Sequence, residues 1–230
     1  MALYAIGDTH LSLNSDKPMD FFGGEWENYI NKLREGFSAL KEDDVCVICG
    51  DISWAMDMEE AKEDFKFLAA LPGKKIILKG NHDYWWTTAS KAKKFFLEND
   101  ITGIDFLHNN CHFYNDIAIC GTRGWFYEEE THNTEHDRKI MNRELMRLEA
   151  SLKCAGDARK YCFLHYPPRF RGYISEDTVA LLKKYGVQRC YYGHIHGKGH
   201  HFALEGLYDG VDYKLVSADY IRFSPIKICD

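Results

Sequence analysis

Eight side chains able to bind metal, bind phosphate or move protons stand just beyond short apolar runs: Asp8 and His10, Asp51, Asn81 and His82, His165, and His194 with His196. The stretch Lys79-Gly80-Asn81-His82-Asp83 shows the pattern most compactly. There Ile76-Ile77-Leu78 leads into a glycine turn and then three polar residues. A strand followed by a turn delivers polar groups to the carboxyl end of a sheet, where α/β proteins keep their ligands. Asp8 and His10 are two apart, as are His194 and His196, so in extended chain each pair points one way and can serve one locus. Taken singly, each residue has a plainer use as a turn former, a cap or a hydrogen-bonded loop histidine. Their recurrence at five strand ends, four of them marked by Gly7, Gly50, Gly80 and Gly193, argues for joint use. The set is rich in imidazole and carboxylate and has no thiolate. It suits Mn²⁺, Fe or Zn²⁺ better than a structural zinc site.

The elements that must position these groups follow from periodicity. Residues 3–7, 45–49 and 75–79 read as strands. Between them Trp26, Tyr29, Ile30, Leu33, Phe37 and Leu40 recur at helical spacing, as do Ala61, Phe65 and Leu68 before Pro72-Gly73. A further helical pattern begins around Trp85 and Trp86. Alternating strands and helices imply a parallel sheet with right-handed crossovers. From residue 104 the strands shorten (104–107, 111–114 and 117–120), with Asn109-Asn110 and Asn115-Asp116 as turn residues and antiparallel pairing expected. Met141, Leu145, Leu148 and Leu152 mark an amphipathic helix. Strands at 161–164 and 189–192 lead to His165 and His194, and Ser175 with Glu176 and Asp177 opens a helix between them. Residues 207–208, 213–218, 220–223 and 226–228 read as closing strands. The expectation is one domain over residues 1–230, an α/β fold with two sheets and helices outside.

Composition narrows the function. The 29 basic and 35 acidic residues give a formal charge of -6 with no basic block, which disfavours a general nucleic-acid binder. Bound metal ions would supply positive charge locally. The start of the chain lacks a signal-like stretch and no apolar run reaches bilayer length, so a soluble, cytoplasmic protein is expected. Cys46 and Cys49 lie in one strand on opposite faces and cannot grip a single ion together.

Gly7-Asp8-x-His10, Gly50-Asp51, Gly80-Asn81-His82-Asp83, the lone His165 and Gly193-His194-x-His196 follow, in order, the motif set of the calcineurin-like metallophosphoesterases. The chain resembles that family from Gly7 to Gly197. The resemblance implies a four-layer αββα sandwich with two central mixed β-sheets flanked by helices. It also implies a two-metal centre of manganese, iron or zinc: Asp8, His10 and His196 on one ion, Asn81, His165 and His194 on the other, Asp51 bridging both. Such a centre hydrolyses a phosphomonoester or phosphodiester. Two ions about 3.5–4 Å apart hold a bridging hydroxide for in-line attack, and His82 assists the leaving group or the phosphate. Asp83 either orients His82 or caps a helix. The second block runs Asp51-Ile52-Ser53-Trp54, without the Asp and Arg of the protein Ser/Thr phosphatase branch.

Arg123, between Gly121 and Gly124, is the candidate phosphate clamp, with pairing to Glu128, Glu129 or Glu130 as its alternative. Trp54, Trp85, Trp86 and Trp125 are candidate walls, and the segments 12–24 and 123–136 are expected at the rim. His132, His136, His200 and His201 fall outside the ligand set. The implied partner is a small phosphorylated substrate. Two other readings are a protein-binding scaffold, disfavoured by the intact ligand set, and a nuclease, disfavoured by the acidic charge and the lack of an added DNA-binding domain.

Overall fold

The computed structural model describes residues 1–126 and 135–230. Its first sheet holds β1 (Leu3–Ile6), β2 (Val45–Ile48), β3 (Lys74–Ile77) and β4 (Ile104–Phe106) in parallel, with β13 (Ile226–Cys229) antiparallel on the β1 edge. The connections carry α1 (Tyr29–Phe37), α2 (Lys62–Ala70) and α3 (Ala89–Glu98). The second sheet is ordered β11 (Gly206–Tyr208), β12 (Val211–Leu215), β10 (Val187–Tyr192), β7 (Arg159–Leu164), β6 (Ile117–Thr122) and β5 (His112–Tyr114). Only its two outer pairs are antiparallel. On it lie α4 (Glu135–Cys154) and α5 (Glu176–Lys184), and a small hairpin joins β8 (Arg169–Phe170) to β9 (Tyr173–Ile174).

Apolar packing divides the molecule into layers. Leu33, Phe37, Phe65 and Phe96 from α1–α3 pack on one face of the first sheet. Leu3, Val47 and Ile76 meet Ile119, Phe163 and Tyr191 between the two sheets. Leu148, Leu152 and Leu182 from α4 and α5 cover the far face of the second. The result is the four-layer αββα sandwich. It explains why the central strands are apolar throughout instead of alternating: both of their faces are buried. Cys46 and Cys49 fall in different layers, on opposite faces, and all eight cysteines are free thiols.

Several expectations are corrected. β4 does not pair with β5, the next strand in the chain; α3 carries the chain back so that β4 lies parallel to β3, and of these three short strands only β5 and β6 form an antiparallel pair. Trp26 precedes α1 in a separate 3-10 turn, because Asn28 takes a left-handed backbone (φ 55°). Trp85 and Trp86 likewise precede α3, whose cap is Thr88. Ser175 makes no capping bond; its hydroxyl pairs with that of Thr178 at 2.8 Å. In α4 the buried stripe passes through Glu144, not Leu145. Residues 220–223 form a turn, since Arg222 and Phe223 are both left-handed (φ 55° and 59°), which a strand does not accommodate.

The two sheets are stitched where the candidate residues gather. Just beyond β1, the Gly7 amide donates to the Val216 carbonyl at 2.7 Å and its carbonyl accepts from the Ala218 amide at 2.9 Å. Among the described residues no helix is long and apolar enough to cross a membrane.

Candidate metal centre

Loops after β1, β2 and β3 bring Asp8, His10, Asp51, Asn81 and His82, while loops after β7 and β10 bring His165, His194 and His196. The first sheet therefore supplies both carboxylates, and the second supplies imidazoles alone. The mechanism of convergence differs from the alternation expected of extended chain. Asp8, His10, Asp51 and His194 all adopt left-handed backbones (φ 58°, 44°, 49° and 72°), each a conformation costing about 1 kcal/mol or more for a non-glycine residue. Sharp turns, not pleating, aim these side chains inward. Two glycines permit the closeness: a methyl group on Gly80 would collide with the Asp51 carboxylate, and one on Gly193 with that of Asp8.

The cluster has two lobes. In the outer lobe, His10 Nε2 and His196 Nε2 face each other at 3.3 Å, and the Asp8 carboxylate lies 3.5 Å from His196 Nε2. In the inner lobe, Asn81 Oδ1 lies 2.6 Å from His165 Nε2 and 2.9 Å from His194 Nδ1. Asp51 Oδ2 faces both lobes, 3.8 Å from His10 Nε2 and 3.5 Å from His165 Nε2, and Asp8 Oδ1 also lies 3.5 Å from His196 Nε2 and 3.7 Å from His165 Nδ1. The other Asp51 oxygen accepts the His82 amide at 2.8 Å.

The surroundings fix which ring nitrogen points inward. His165 Nδ1 donates to the Cys49 carbonyl at 3.0 Å, which leaves Nε2 with its lone pair toward Asn81. His196 Nδ1 donates to Asp219 Oδ1 at 2.9 Å, and the Gly197 amide donates to Oδ2 at 3.1 Å. Asp219 is the residue that sequence reading missed, since it is the single position between two segments, 213–218 and 220–223, that read as strands, and the structure places it in a turn. Asp83 neither orients the His82 ring nor caps a helix. Its carboxylate takes the amides of Ile52 (2.8 Å), Ser53 (3.3 Å) and Gly80 (2.7 Å) and the Trp85 indole (2.8 Å), tying the Asp51 loop to the Asn81 loop.

Electrostatics tests whether metal ions fit. Burial, then the neighbouring Asp83 and Asp8 charges, push the Asp51 carboxyl well above the usual range. Burial also lowers His10 and His194 well below their ordinary value and His165 to about 3. His196 alone rises, to about 10: burial opposes its charge, but hydrogen bonds to Asp219 and Asp8 outweigh that penalty. The neutral imidazoles of His10, His165 and His194, an amide oxygen and crowded carboxylates thus turn lone pairs toward shared points, and an ion at the outer lobe would displace the His196 proton. His10 Nδ1 is buried without a hydrogen-bond partner among the described residues. Such a site lacks only positive charge. Two groups could each hold an ion, Asp8 with His10 and His196, and Asp8 with Asp51 and His165. The residues fit metal.

The remaining candidates lie around this cluster. His82 holds no place among the converging lone pairs; its ring lies 4.3 Å from that of Trp54, and burial lowers its pKa. Above His10, His82 and His196 opens a cavity of about 730 Å³ walled by Trp26 and Trp54, with Met19 and Phe22 from the expected rim segment. Trp85 is buried core, Trp86 borders a different cavity, and Trp125 lies under Arg123. His200 sits 3.3 Å from Asp219, His201 and His136 are exposed, and His132 lies outside the described residues. Arg123 lines the second cavity, not the first, and pairs with Glu144 at 3.4 Å; Glu128, Glu129 and Glu130 lie outside the described residues.

A two-sheet αββα sandwich with imidazoles and carboxylates converging from its strand ends defines a metal-dependent hydrolase. The model of the calcineurin-like phosphoesterase family matches residues 1–198, and the chain belongs to that family. No curated protein matches the chain at a significant level. Among solved structures it is similar to the phosphopantetheinyl hydrolase PptH of Mycobacterium tuberculosis, at 16% identity and a TM-score of 0.60 over 99% of this chain and 95% of that one. It is also similar to TT1561 of Thermus thermophilus, at 16% identity and a TM-score of 0.50 over 85% and 82% of the respective chains. Identities this low speak to the fold.

Proposed function

We propose that this phosphoesterase holds two metal ions and hydrolyses a phosphomonoester or phosphodiester whose organic part lies in the aromatic-walled cavity. Asp8, His10 and His196 would hold one ion and Asn81, His165 and His194 the other, with Asp51 shared. The observation that carries this reading is the position of Asp51 Oδ2, within 3.8 Å of a ligand nitrogen in each lobe. Manganese, iron or zinc bound there supplies two things at neutral pH, a nucleophile made from water and charge neutralisation on the phosphoryl oxygens.

The chain's own residues do the rest. The Asp51 and Asp8 carboxylates balance the charge of the ions, which uncharged ligands alone could not do. Asp219 and the Cys49 carbonyl keep His196 and His165 in the tautomer that offers Nε2 inward. His82 stands between the cluster and the cavity, where an imidazole N–H can donate to a phosphoryl oxygen or to the departing ester oxygen. Trp26 and Trp54 exclude water from that side and offer flat apolar surface to the leaving group. Asp51→Asn keeps the size of the side chain and removes the shared charge. Hydrolysis of a generic aryl phosphate should fall to background in this variant while its circular dichroism is unchanged. Undiminished turnover would refute the assignment.

A further inference from the structure

A second cavity, of about 350 Å³, backs onto the inner lobe and shares no lining residue with the aromatic one. Lys79, Arg123 and Arg147 face it, together with Thr87, Thr88 and His108. Their charges do not cancel. Among the described residues Glu144 is the one carboxylate in the lining, and both of its oxygens are engaged: Oε1 by Arg147 at 2.7 Å and Arg123 at 3.4 Å, Oε2 by the Thr122 hydroxyl at 2.6 Å. No carboxylate among the described residues forms an ion pair with the Lys79 ammonium. Arg123 Nε is buried there without a hydrogen-bond partner among the described residues. Among the described residues three cations face one carboxylate, a surplus of positive charge in a half-enclosed space that an anion would offset. The opening turn of α3, beginning after Thr88, adds its amide dipoles to the same field. The neighbouring His108 registers that field: burial and then Arg147 lower its pKa.

The place is chemically suggestive. Lys79 leads through Gly80 directly into Asn81, and the Arg123 carbonyl accepts the His165 and Tyr166 amides at 3.1 and 2.8 Å. An anion held here would lie beside the segments that carry the proposed ligands Asn81 and His165, in a cavity that shares no lining with the aromatic one. We propose that Lys79, Arg123 and Arg147 form a second anion site for a tetrahedral oxyanion of the phosphate class. Its source is either free phosphate or the distal phosphoryl group of a substrate carrying two. Only the latter source rests on the phosphoesterase reading.

The test is calorimetric titration of the metal-loaded protein with inorganic phosphate, beside the Lys79→Gln/Arg147→Gln double variant and Arg147→Gln alone. The double variant should bind one phosphate fewer per chain, or bind it about tenfold or more weakly, the scale of lost charge-assisted hydrogen bonds. Arg147→Gln should give a smaller loss of the same kind. Unchanged aryl phosphate turnover shows that the variants are folded. If the anion belongs to substrate, kcat/KM for a bisphosphorylated ester falls about tenfold in the double variant with the monophosphate unaffected. If it is free phosphate, turnover of both esters is unchanged and only binding is lost. Identical phosphate stoichiometry and affinity in variant and unaltered enzyme would overturn the proposal. Failure of the phosphoesterase reading shows separately, in the Asp51→Asn assay.

Discussion

The outer and inner lobes of the cluster are built from similar ligands but supported differently. His196 keeps 30% of its side chain exposed and is aimed by another side chain, Asp219. His165 is fully buried and is aimed by a backbone carbonyl, that of Cys49. The outer lobe opens on an aromatic cavity suited to an organic leaving group, whereas the inner lobe is backed by a cationic one. The difference teaches that the two proposed ions are not equivalent. The outer one should exchange and respond to substitution, while the inner one should be held by the sandwich itself.

Three substitutions sharpen this contrast. His82→Ala should lower kcat by about 10²–10⁴, the usual span for a lost proton-handling group, with metal content unchanged by elemental analysis. Loss of metal in that variant would move His82 into the ligand set. Asp219→Asn should weaken the outer ion alone, by about 10–100-fold in a metal-competition assay, as for other groups that orient a ligand histidine. An equal effect on both ions would erase the distinction between the lobes.

The smallest effect concerns the scaffold behind the outer lobe. Asp64 accepts from the Ser53 hydroxyl and from the Leu13 amide at 2.8 Å, beside the loop that carries His10. Burial raises its carboxyl to about 6 against the opposing pull of those bonds. A carboxyl raised on folding contributes stability that is present below its unfolded pKa and lost as pH rises through the folded one. Between about pH 4 and 6 the protein should therefore lose about 3 kcal/mol through this residue. Asp64→Asn should flatten that part of the slope in urea denaturation, and an unaltered slope would show that Asp64 is not its source.

Much of the centre was legible in the sequence because strand, glycine and polar residue follow one another directly in the chain. That order marked Asp8, Asp51, Asn81 and His194 as neighbours in space, and the family resemblance joined them with His165, which follows its strand without a glycine, into a site. Asp219 was not legible, because its role depends on a turn created by two left-handed residues, Arg222 and Phe223, that apolar periodicity cannot reveal. Glu144 was hidden for a related reason. A carboxylate occupies a buried helix position because Thr122 and Arg123 meet it from across the fold and Arg147 from the next turn of the same helix. Asp83 read as a cap since its four partners come from two loops and a tryptophan distant in pattern, though not in space.

The most direct test of the account is elemental analysis of the purified chain during graded chelation, read beside hydrolysis of an aryl phosphate. Two ions per chain should accompany full activity. The more exposed lobe should empty first and take turnover with it, and readdition of metal should restore both. Full activity with one ion or none, or no hydrolysis with both in place, would contradict a two-ion phosphoesterase.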